Sequence, residues 1–109
     1  MFNFFNIQSK NISPQEAKKR LETEKGIILI DVRTPAEYKS GHIPGSISMP
    51  LDSLGVDVRK KLPNLNSTIF VYCLSGGRSS RAVSTLERMG YTNVNNLGGI
   101  SSWPYEIAK

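Results

Sequence analysis

The sequence predicts an α/β fold in which helices cover both faces of a central parallel sheet. Residues 27–32 and 69–72 form continuous apolar runs rich in β-branched side chains, as expected for strands that are buried on both sides. Helical segments with clear start and stop signals lie between the runs. In such folds ligands bind beyond the carboxyl ends of the strands, and Cys73 follows the second run at such an end.

Residues 13–16 and 34–37 each predict the start of a helix. Both stretches combine a capping hydroxyl, a proline at the first helical position and a glutamate three residues after the cap. The first helix is predicted to end near Gly26 and the second at Gly41, since glycine commonly terminates helices. Two later helices are marked by apolar side chains at helical spacing: Leu51, Leu54, Val58 and Leu62 before Pro63, and Ala82, Val83, Leu86 and Met89 before Gly90.

Short segments complete the predicted order of elements. Residues 47–49 are expected to form a brief strand, and residues 94–97 a last strand that leads into a turn at residues 98–99. Residues 100–107 are predicted to form a final short helix that carries Trp103. Strands and helices thus alternate along the chain, and no internal repeat is visible.

The length of 109 residues fits one domain, 1–109, within which we treat residues 1–9 as a loosely packed N-terminal extension. The sequence leaves open whether Phe2, Phe4 and Phe5 cover a sheet edge or contact another protein. A single cysteine cannot form an internal disulfide, and the chain has neither a basic leader nor an apolar stretch of membrane-spanning length. We therefore expect a cytoplasmic protein that does not bind a membrane.

The formal net charge of +5 raises the question of nucleic-acid binding. However, the basic residues are spread over several segments, without the interleaved aromatic residues or the recognisable motif of such proteins. Solvated helix faces, with a modest attraction for small anions or acidic partner proteins, explain the charge better. No nucleic-acid partner, metal or cofactor is predicted.

The segment after the second apolar run has the composition of an anion-binding loop: Cys73, Leu74, Ser75, Gly76, Gly77, Arg78 and Ser79. Two glycines let peptide N–H groups approach an anion closely, and the following helix directs its positive dipole end towards the loop. Both features favour a Cys73 thiolate. Arg78 either holds the loop or meets an oxyanion. We predict that Cys73 is a nucleophile, because a cysteine that only packs does not account for a polar loop with an arginine.

At these residues the sequence resembles the rhodanese domain, the sulfurtransferase fold. The pattern Cys73-x-Ser75-Gly76-x-Arg78-Ser79 is similar to the family's active-site loop. The first signature of the family resembles residues 31–33, 37–38 and 41–45, and its closing one resembles residues 97–99 with Trp103. The resemblance covers nearly the whole chain and matches a single-domain member.

The resemblance implies a five-stranded parallel sheet flanked by helices and a cysteine that carries sulfane sulfur as a persulfide. In the implied double displacement, the Cys73 thiolate takes sulfur from a small anionic donor such as thiosulfate, or from a persulfide. The loop N–H groups from Leu74 to Ser79 stabilise the persulfide and the departing charge. The chain has no second cysteine to resolve the persulfide, so an external thiol or cyanide, including a thiol on a protein, must accept the sulfur.

The chain departs from the family pattern at two places. Ser46 and Ser48 stand where the family usually has alanine and asparagine, and both substitutions look tolerable. Leu74 and Ser75 follow the cysteine, whereas rhodaneses with a strong preference for thiosulfate often have basic side chains there. This second departure weakens the case for thiosulfate as the physiological donor.

Two other functions use the same residues. A cysteine phosphatase or arsenate reductase also places a thiolate in an anion-binding loop, but tyrosine phosphatases have five residues between cysteine and arginine, whereas only four intervene here. The sequence also offers no evident acid to protonate a leaving alkoxide. The other alternative is a binding module or persulfide carrier that serves a partner protein, although inactive rhodanese domains typically lack the cysteine.

The resemblance suggests that Asp31 and Arg33, at the end of a strand, tie neighbouring loops together and that Asp31 pairs with Arg78. The alternative is a strand-end pair that only stabilises the turn. His42, the single histidine, is interpreted as a structural hydrogen-bonding group rather than a base, because buried polar groups are usually paired. Core packing is assigned to Phe70 and Trp103.

Overall fold

The computed structural model describes residues 10–109, so the extension predicted for residues 1–9 and its three phenylalanines lie outside the described residues. Helix α1 spans Pro14–Thr23, strand β1 Ile28–Asp31, helix α2 Pro35–Ser40 and strand β2 Ile47–Ser48. A 3₁₀ turn at Leu51–Ser53 precedes helix α3 at Leu54–Lys61 and strand β3 at Thr68–Cys73. Helix α4 at Gly77–Arg88, strand β4 at Asn93–Gly99 and a 3₁₀ turn at Ile100–Ser102 complete the order.

The four strands form one parallel sheet in the order β2-β1-β3-β4, which confirms the predicted α/β class. The strand count differs from the five implied by the family resemblance. Beside β4, within residues 10–109, the only further pairing is a parallel bridge between Asn11 and Asn96, where the Ile12 N–H donates to the Asn96 carbonyl at 3.0 Å. Because Ser13 already caps helix α1, the described part of this segment has room for a bridge but not for a strand.

From Ile69 to Cys73, strand β3 is buried at every position because both faces of the sheet are covered. Ile69, Val71 and Cys73 lie in the core cluster that includes α3 and α4, whereas Phe70 and Tyr72 lie in the cluster that includes α1. Successive side chains of a strand point to opposite faces, so a strand between two helical layers is buried throughout. Cys73 therefore ends β3 on the same face as helix α4.

The predicted starts of α1 and α2 are confirmed in their capping contacts. Ser13 accepts a hydrogen bond from the Glu16 N–H through its hydroxyl, at 3.1 Å. Thr34 and Glu37 form a complete capping box, in which the Glu37 N–H donates to the Thr34 hydroxyl at 3.2 Å and the Thr34 N–H donates to the Glu37 carboxylate at 3.0 Å. Helix α2 ends before Gly41, as predicted. The capping box holds the Glu37 carboxylate in one place, which matters for the loop after β3.

The prediction of a helix over residues 100–107 is wrong, since only the 3₁₀ turn at Ile100–Ser102 forms. Pro104 is the physical reason, because the residue before a proline is disfavoured in the α region, and Trp103 is extended at φ −79° and ψ 114°. Trp103 is half-buried against the α1-side cluster, and Phe70 within that cluster is fully buried, so both pack in the core as predicted. Among the helices of residues 10–109, none has the length and apolar character needed to cross a membrane.

Candidate active site

Cys73 lies where strand β3 gives way to the loop, and its side chain is only 1% exposed. The chain then turns sharply, and Gly76 adopts the left-handed conformation with φ 111° as the residue that caps helix α4. Any residue with a side chain would be strained in that conformation. The turn brings the N–H groups of Gly76 and Ser79 back to the cysteine sulfur.

Hydrogen-bond donors converge on the sulfur atom of Cys73. The Gly76 N–H donates to Sγ at 3.0 Å and the Ser79 N–H at 3.4 Å, while the Ser79 hydroxyl oxygen lies 3.5 Å from Sγ. Burial raises the pKa of the Cys73 thiol, but hydrogen bonds from the Ser79 hydroxyl and from the N–H groups of Ser79, Gly76 and Ser75 outweigh it, so the pKa lies below its ordinary value. The loop therefore favours the thiolate.

The N–H groups of Gly77 and Arg78 are available to a bound anion. They are the first two N–H groups of α4, a position where no intrahelical partner exists, and neither makes a hydrogen bond within residues 10–109. Unpaired N–H groups and the helix dipole together form an anion-binding arrangement. The start of α4 thus offers donors in addition to those already bonded to the sulfur.

The loop lies directly against the backbone at the end of β4. The Leu74 carbonyl accepts hydrogen bonds from the Ser101 N–H at 3.1 Å and from the Ser101 hydroxyl at 2.9 Å. A Cβ atom on Gly99 would lie 2.6 Å from the Ser75 Cα and closer still to the Leu74 carbonyl oxygen, so only glycine fits. The closing glycine signature seen in the sequence thus has a steric reason.

Ser79 is fully buried, and its hydroxyl oxygen is surrounded by acceptors. Besides Cys73 Sγ, it lies 2.7 Å from Asn96 Oδ1, 3.0 Å from the Gly76 carbonyl and 3.3 Å from the Gly98 carbonyl. Asn96 is not among the site residues predicted from the sequence. Its position depends on an irregularity in β4, where Val71 pairs with Asn96 but Tyr72 with Gly98, and a bulge of this kind redirects side chains. The one sequence signal is the spacing Asn96-x-Gly98, which suits an Asx turn.

Arg78 holds the loop to helix α2 through Glu37. Its guanidinium makes two hydrogen bonds to the Glu37 carboxylate, at 2.7 and 3.0 Å, and about a third of each side chain is exposed. These bonds from Arg78, and then the Thr34 backbone N–H, lower the pKa of Glu37 to about 2. Of the two roles left open by the sequence, the geometry supports the one in which Arg78 anchors the loop.

The expected pairing of Asp31 with Arg78 is wrong. Asp31 is buried with Arg33, whose Nη2 lies 2.7 Å from the Asp31 carboxylate and whose backbone N–H donates to it at 2.9 Å. The same Nη2 also donates to the Gly41 carbonyl at 2.6 Å. Arg33 lies only two residues after Asp31 and forms the ion pair with it, whereas Arg78 forms its ion pair with Glu37. The pair therefore ties the end of β1 to the end of α2, away from direct contact with the cysteine loop.

His42 and Ser46 both have structural partners. The His42 ring stacks on Tyr38 at 3.8 Å between centroids, and its Nδ1 lies 2.9 Å from the Tyr38 carbonyl. The Ser46 hydroxyl lies 3.0 Å from the hydroxyl of Tyr72, which also accepts the Ile43 N–H at 3.0 Å. Burial raises the pKa of Tyr72, so it stays neutral. Ser46, where the family usually has alanine, thus provides a hydrogen-bond partner for the buried Tyr72 hydroxyl.

Comparison with known proteins identifies the family. The family model described as Rhodanese-like domain matches residues 13–105. The chain belongs to this family. It is 41% identical over 71 residues to the thiosulfate sulfurtransferase PspE of Escherichia coli K12, a match that covers 65% of this chain and 68% of that protein.

A second relative of this rhodanese-like domain is the putative sulfur carrier protein YrkF of Bacillus subtilis 168, 33% identical over 93 residues. That match covers 84% of this chain and 49% of the relative, so the chain spans about half the length of that protein. Among solved structures, a rhodanese with anions from E. coli is similar, with a TM-score of 0.72 and 36% identity. It covers 76% of this chain, and 98% of its own chain is matched.

The ion pair that anchors the loop of this rhodanese-like domain gives a pH prediction. Because the pKa of Glu37 is lowered from 4.5 to about 2, the pair stabilises the fold fully above pH 4.5 and its contribution is lost as the pH falls to about 2. We expect Glu37→Gln to reduce the free energy of unfolding at pH 7 by about 1 kcal/mol, a modest value because solvent screens the pair. Urea unfolding measured between pH 7 and pH 3 should show this difference shrink with acidification.

Glu24→Gln is the matched control for that measurement. Glu24 also accepts two hydrogen bonds from an arginine, Arg20, but this pair is an exposed one that joins helix α1 to the residue directly after it. The control should cost less stability than Glu37→Gln, since it holds no loop in place. An equal loss in the two variants would contradict the anchoring role of Glu37.

Proposed function

We propose that this rhodanese-like domain is a sulfurtransferase in which Cys73 accepts sulfane sulfur as a persulfide and passes it to an external thiol or to cyanide. The observation that carries the proposal is the convergence of N–H donors from Gly76 and Ser79 on a buried sulfur atom at the start of α4. A buried thiol without such donors would resist ionisation and react slowly. Similarity to proteins named as a thiosulfate sulfurtransferase and a putative sulfur carrier supports the same chemistry.

The reaction proceeds in two displacements. The Cys73 thiolate attacks the outer sulfur of the donor, the sulfur–sulfur bond of the donor breaks, and the leaving group departs with the electron pair as sulfite or as a thiolate. Cys73 is left as a persulfide. The acceptor, a thiolate or cyanide, then attacks the outer sulfur and releases the Cys73 thiolate, so the enzyme is neither oxidised nor reduced over the cycle.

The loop stabilises the intermediate through groups that the resting site leaves unused. The outer sulfur of the persulfide carries the negative charge, and we expect it to accept hydrogen bonds from the N–H groups of Gly77 and Arg78 at the start of α4. The N–H groups of Gly76 and Ser79 remain hydrogen-bonded to the inner sulfur, which is Cys73 Sγ. This arrangement suits one added sulfur atom.

A phosphomonoester fits the site less well. Phosphoryl transfer to a thiolate needs an acid for the leaving oxygen. The carboxyl group that contacts the loop, that of Glu37, is bonded to Arg78, and that of Asp31 at the end of β1 is bonded to Arg33. Arg78 is also fixed by Glu37 rather than available to the oxygens of a substrate. These commitments favour sulfur transfer over phosphatase chemistry.

The loop mouth favours a persulfide donor over thiosulfate. Leu74 is 47% exposed beside the cysteine, Ser75 is exposed and uncharged, and the one cation of the loop, Arg78, is neutralised by Glu37. Thiosulfate, whose leaving group is the doubly charged sulfite, gains little in such a site, whereas a persulfide, whose leaving thiolate sulfur carries one negative charge, loses little. We therefore propose that the preferred donor is a persulfide.

Trapping of the loaded cysteine tests the proposal. The protein is incubated with thiosulfate, glutathione persulfide or cysteine persulfide. Cys73 is then either alkylated, which traps a persulfide, or left unmodified, and the intact mass of the protein reports the gain of one sulfur atom. We expect sulfur on Cys73 with all three donors and higher initial rates with the two thiol persulfides. Failure of every donor to load Cys73, or Cys73-dependent hydrolysis of p-nitrophenyl phosphate, would overturn the proposed function.

A cation at the loop mouth should change the donor preference. Leu74→Arg places a positive charge beside the sulfur, and one such charge contributes on the order of 1 kcal/mol near a protein surface, so loading by thiosulfate should rise about fivefold. Loading by cysteine persulfide, which carries less charge, should change less. Stopped-flow loading rates with the two donors measure the ratio.

Val56→Arg is the matched control, since Val56 is 62% exposed on helix α3 and the change adds the same charge to the chain. It should leave the ratio of the two loading rates unaltered. An equal, about fivefold rise in this control would show that net charge, rather than the loop mouth, governs the preference.

A further inference from the structure

The hydroxyl group of Ser79 has more acceptors than it can serve. It carries one proton, and its oxygen lies within bonding distance of Cys73 Sγ at 3.5 Å, Asn96 Oδ1 at 2.7 Å and the carbonyls of Gly76 and Gly98 at 3.0 and 3.3 Å. Carbonyl and amide oxygens can only accept. Ser79 therefore donates to one of these atoms at a time, and the nearest is Asn96 Oδ1.

The charge on Cys73 decides which choice is favourable. As a thiol, Cys73 donates its own proton to the Ser79 oxygen, which leaves the hydroxyl proton on Asn96. As a thiolate, Cys73 has no proton and gains most from accepting the Ser79 hydroxyl, since hydrogen bonds to charged groups are the stronger ones. The Asn96 bond is then given up.

Asn96 is held in place whichever partner Ser79 selects. Its Oδ1 also accepts the Gly98 N–H at 2.8 Å, and its backbone carbonyl accepts the Ile12 N–H at 3.0 Å. The shift in register between β3 and β4 at this point directs the side chain towards Ser79. Loss of the Ser79 bond leaves no buried acceptor unpaired, so the switch of the hydroxyl is inexpensive for Asn96.

We propose that Asn96 is a positioning residue that competes with the Cys73 thiolate for the single hydroxyl proton of Ser79. In the persulfide the negative charge moves to the outer sulfur, so Cys73 Sγ no longer needs the hydroxyl and Ser79 returns to Asn96. Asn96 thus favours the loaded cysteine over the free thiolate. The role rests on the proposed reaction of Cys73, but it concerns the thiolate itself and not a particular donor.

Most other charged groups around the site are paired, and Arg81 of α4, in the groove beside Arg33 and Arg78, is exposed to solvent. On the α2 side of the loop, Arg78 is bonded to Glu37, and at the end of β1 Arg33 is bonded to Asp31. Near Asn96, Lys10 forms an ion pair with Glu87 of α4 at 2.6 Å. Both residues line a groove that Asn96 also lines. A change at Asn96 alters none of these pairs directly, so a pH effect of that change reports on Ser79.

Alkylation of Cys73 as a function of pH tests the inference. The chain has one cysteine, so the rate of reaction with iodoacetamide follows the thiolate fraction of Cys73 alone. We expect Asn96→Ala to lower the apparent pKa of Cys73 by about half a pH unit, the size of one weak hydrogen bond, and Ser79→Ala to raise it. In the double variant, Asn96→Ala should add no shift to that of Ser79→Ala.

Two further variants separate positioning from a structural role. Asn96→Asp keeps an acceptor for the Gly98 N–H, but its carboxylate competes more strongly for the Ser79 hydroxyl. It should therefore raise the pKa of Cys73, and the rise should be larger with Ser79 present than in the Ser79→Ala background. Asn93 is an exposed asparagine of β4 that donates a hydrogen bond to the Thr68 hydroxyl of β3, so Asn93→Ala should leave the pKa of Cys73 unchanged.

A rise in pKa with Asn96→Ala, or a shift that persists without Ser79, would overturn the inference, because a loosened bulge would act in that way. If Asn96→Ala does not fold, the comparison of Asn96→Asp in the two backgrounds decides. Alkylation requires no sulfur transfer, so failure of the persulfide assay and failure of this inference are distinguishable.

Discussion

Cys73→Ser is expected to lower the rate of thiocyanate formation from a sulfur donor and cyanide by at least about 10³-fold, the order of effect seen when a catalytic nucleophile is removed. A serine hydroxyl at the same place is not ionised at neutral pH and forms no persulfide. The loop that holds the side chain is unaffected, because serine is close to cysteine in size and can accept the Gly76 and Ser79 N–H groups.

The fold of the Cys73→Ser variant is the control. We expect its thermal unfolding to shift only slightly, since the substituted atom already lies among hydrogen-bond donors rather than in a purely apolar environment. Thiocyanate formation at an undiminished rate by a folded variant would show that sulfur passes through another group and would remove Cys73 from the mechanism.

Gly99→Ala has the second largest expected effect. The added methyl group would overlap the Leu74 carbonyl and the Ser75 Cα, which are backbone atoms and cannot rotate away, so the whole loop has to move. A displacement of about 1 Å at a reacting group is enough to cost roughly 10²-fold in rate. Overpacking of this kind also lowers the free energy of unfolding by about 1–3 kcal/mol.

Gly77→Ala is the matched control in the same loop. A Cβ atom on Gly77 meets nothing within 4 Å, and the residue begins helix α4 with an ordinary φ. Alanine retains the backbone N–H and suits a helix better than glycine, so the variant should gain up to about 1 kcal/mol in stability and keep sulfur transfer within about twofold. Loading rates and urea unfolding of the two variants measured side by side check both statements. Equal rates in Gly99→Ala and the wild type would contradict the close approach of loop and strand.

Much of the fold is predictable from local signals. The runs at residues 27–32 and 69–72 predict buried parallel strands because two covered faces require apolar residues throughout. The capping motif at residues 34–37 predicts the start of α2 because cap and glutamate satisfy each other's backbone groups within one turn. Each of these signals acts over a few residues, so the rest of the chain has little influence on it.

Where the sequence misleads, a further contact or constraint intervenes. The helix predicted over residues 100–107 ignores Pro104, and the fifth strand implied by resemblance is limited by the early start of α1 at Ser13. The resemblance to the family implies a pair between Asp31 and Arg78, which does not form. In the folded chain Asp31 binds Arg33 instead of Arg78. The capping box holds the Glu37 carboxylate where Arg78 bonds to it.

The cysteine loop itself divides in the same way. The order of residues from Cys73 to Ser79 is enough to place a thiol between a buried strand and a helix and to predict a thiolate, because the strand, the glycines and the helix start are contiguous in the chain. The contacts of Arg78 with Glu37, of Ser79 with Asn96 and of Leu74 with Ser101 join residues 41, 17 and 27 positions apart. Only the tertiary structure decides these contacts, since each depends on how separate elements come together, including a register shift in β4 that no local pattern encodes.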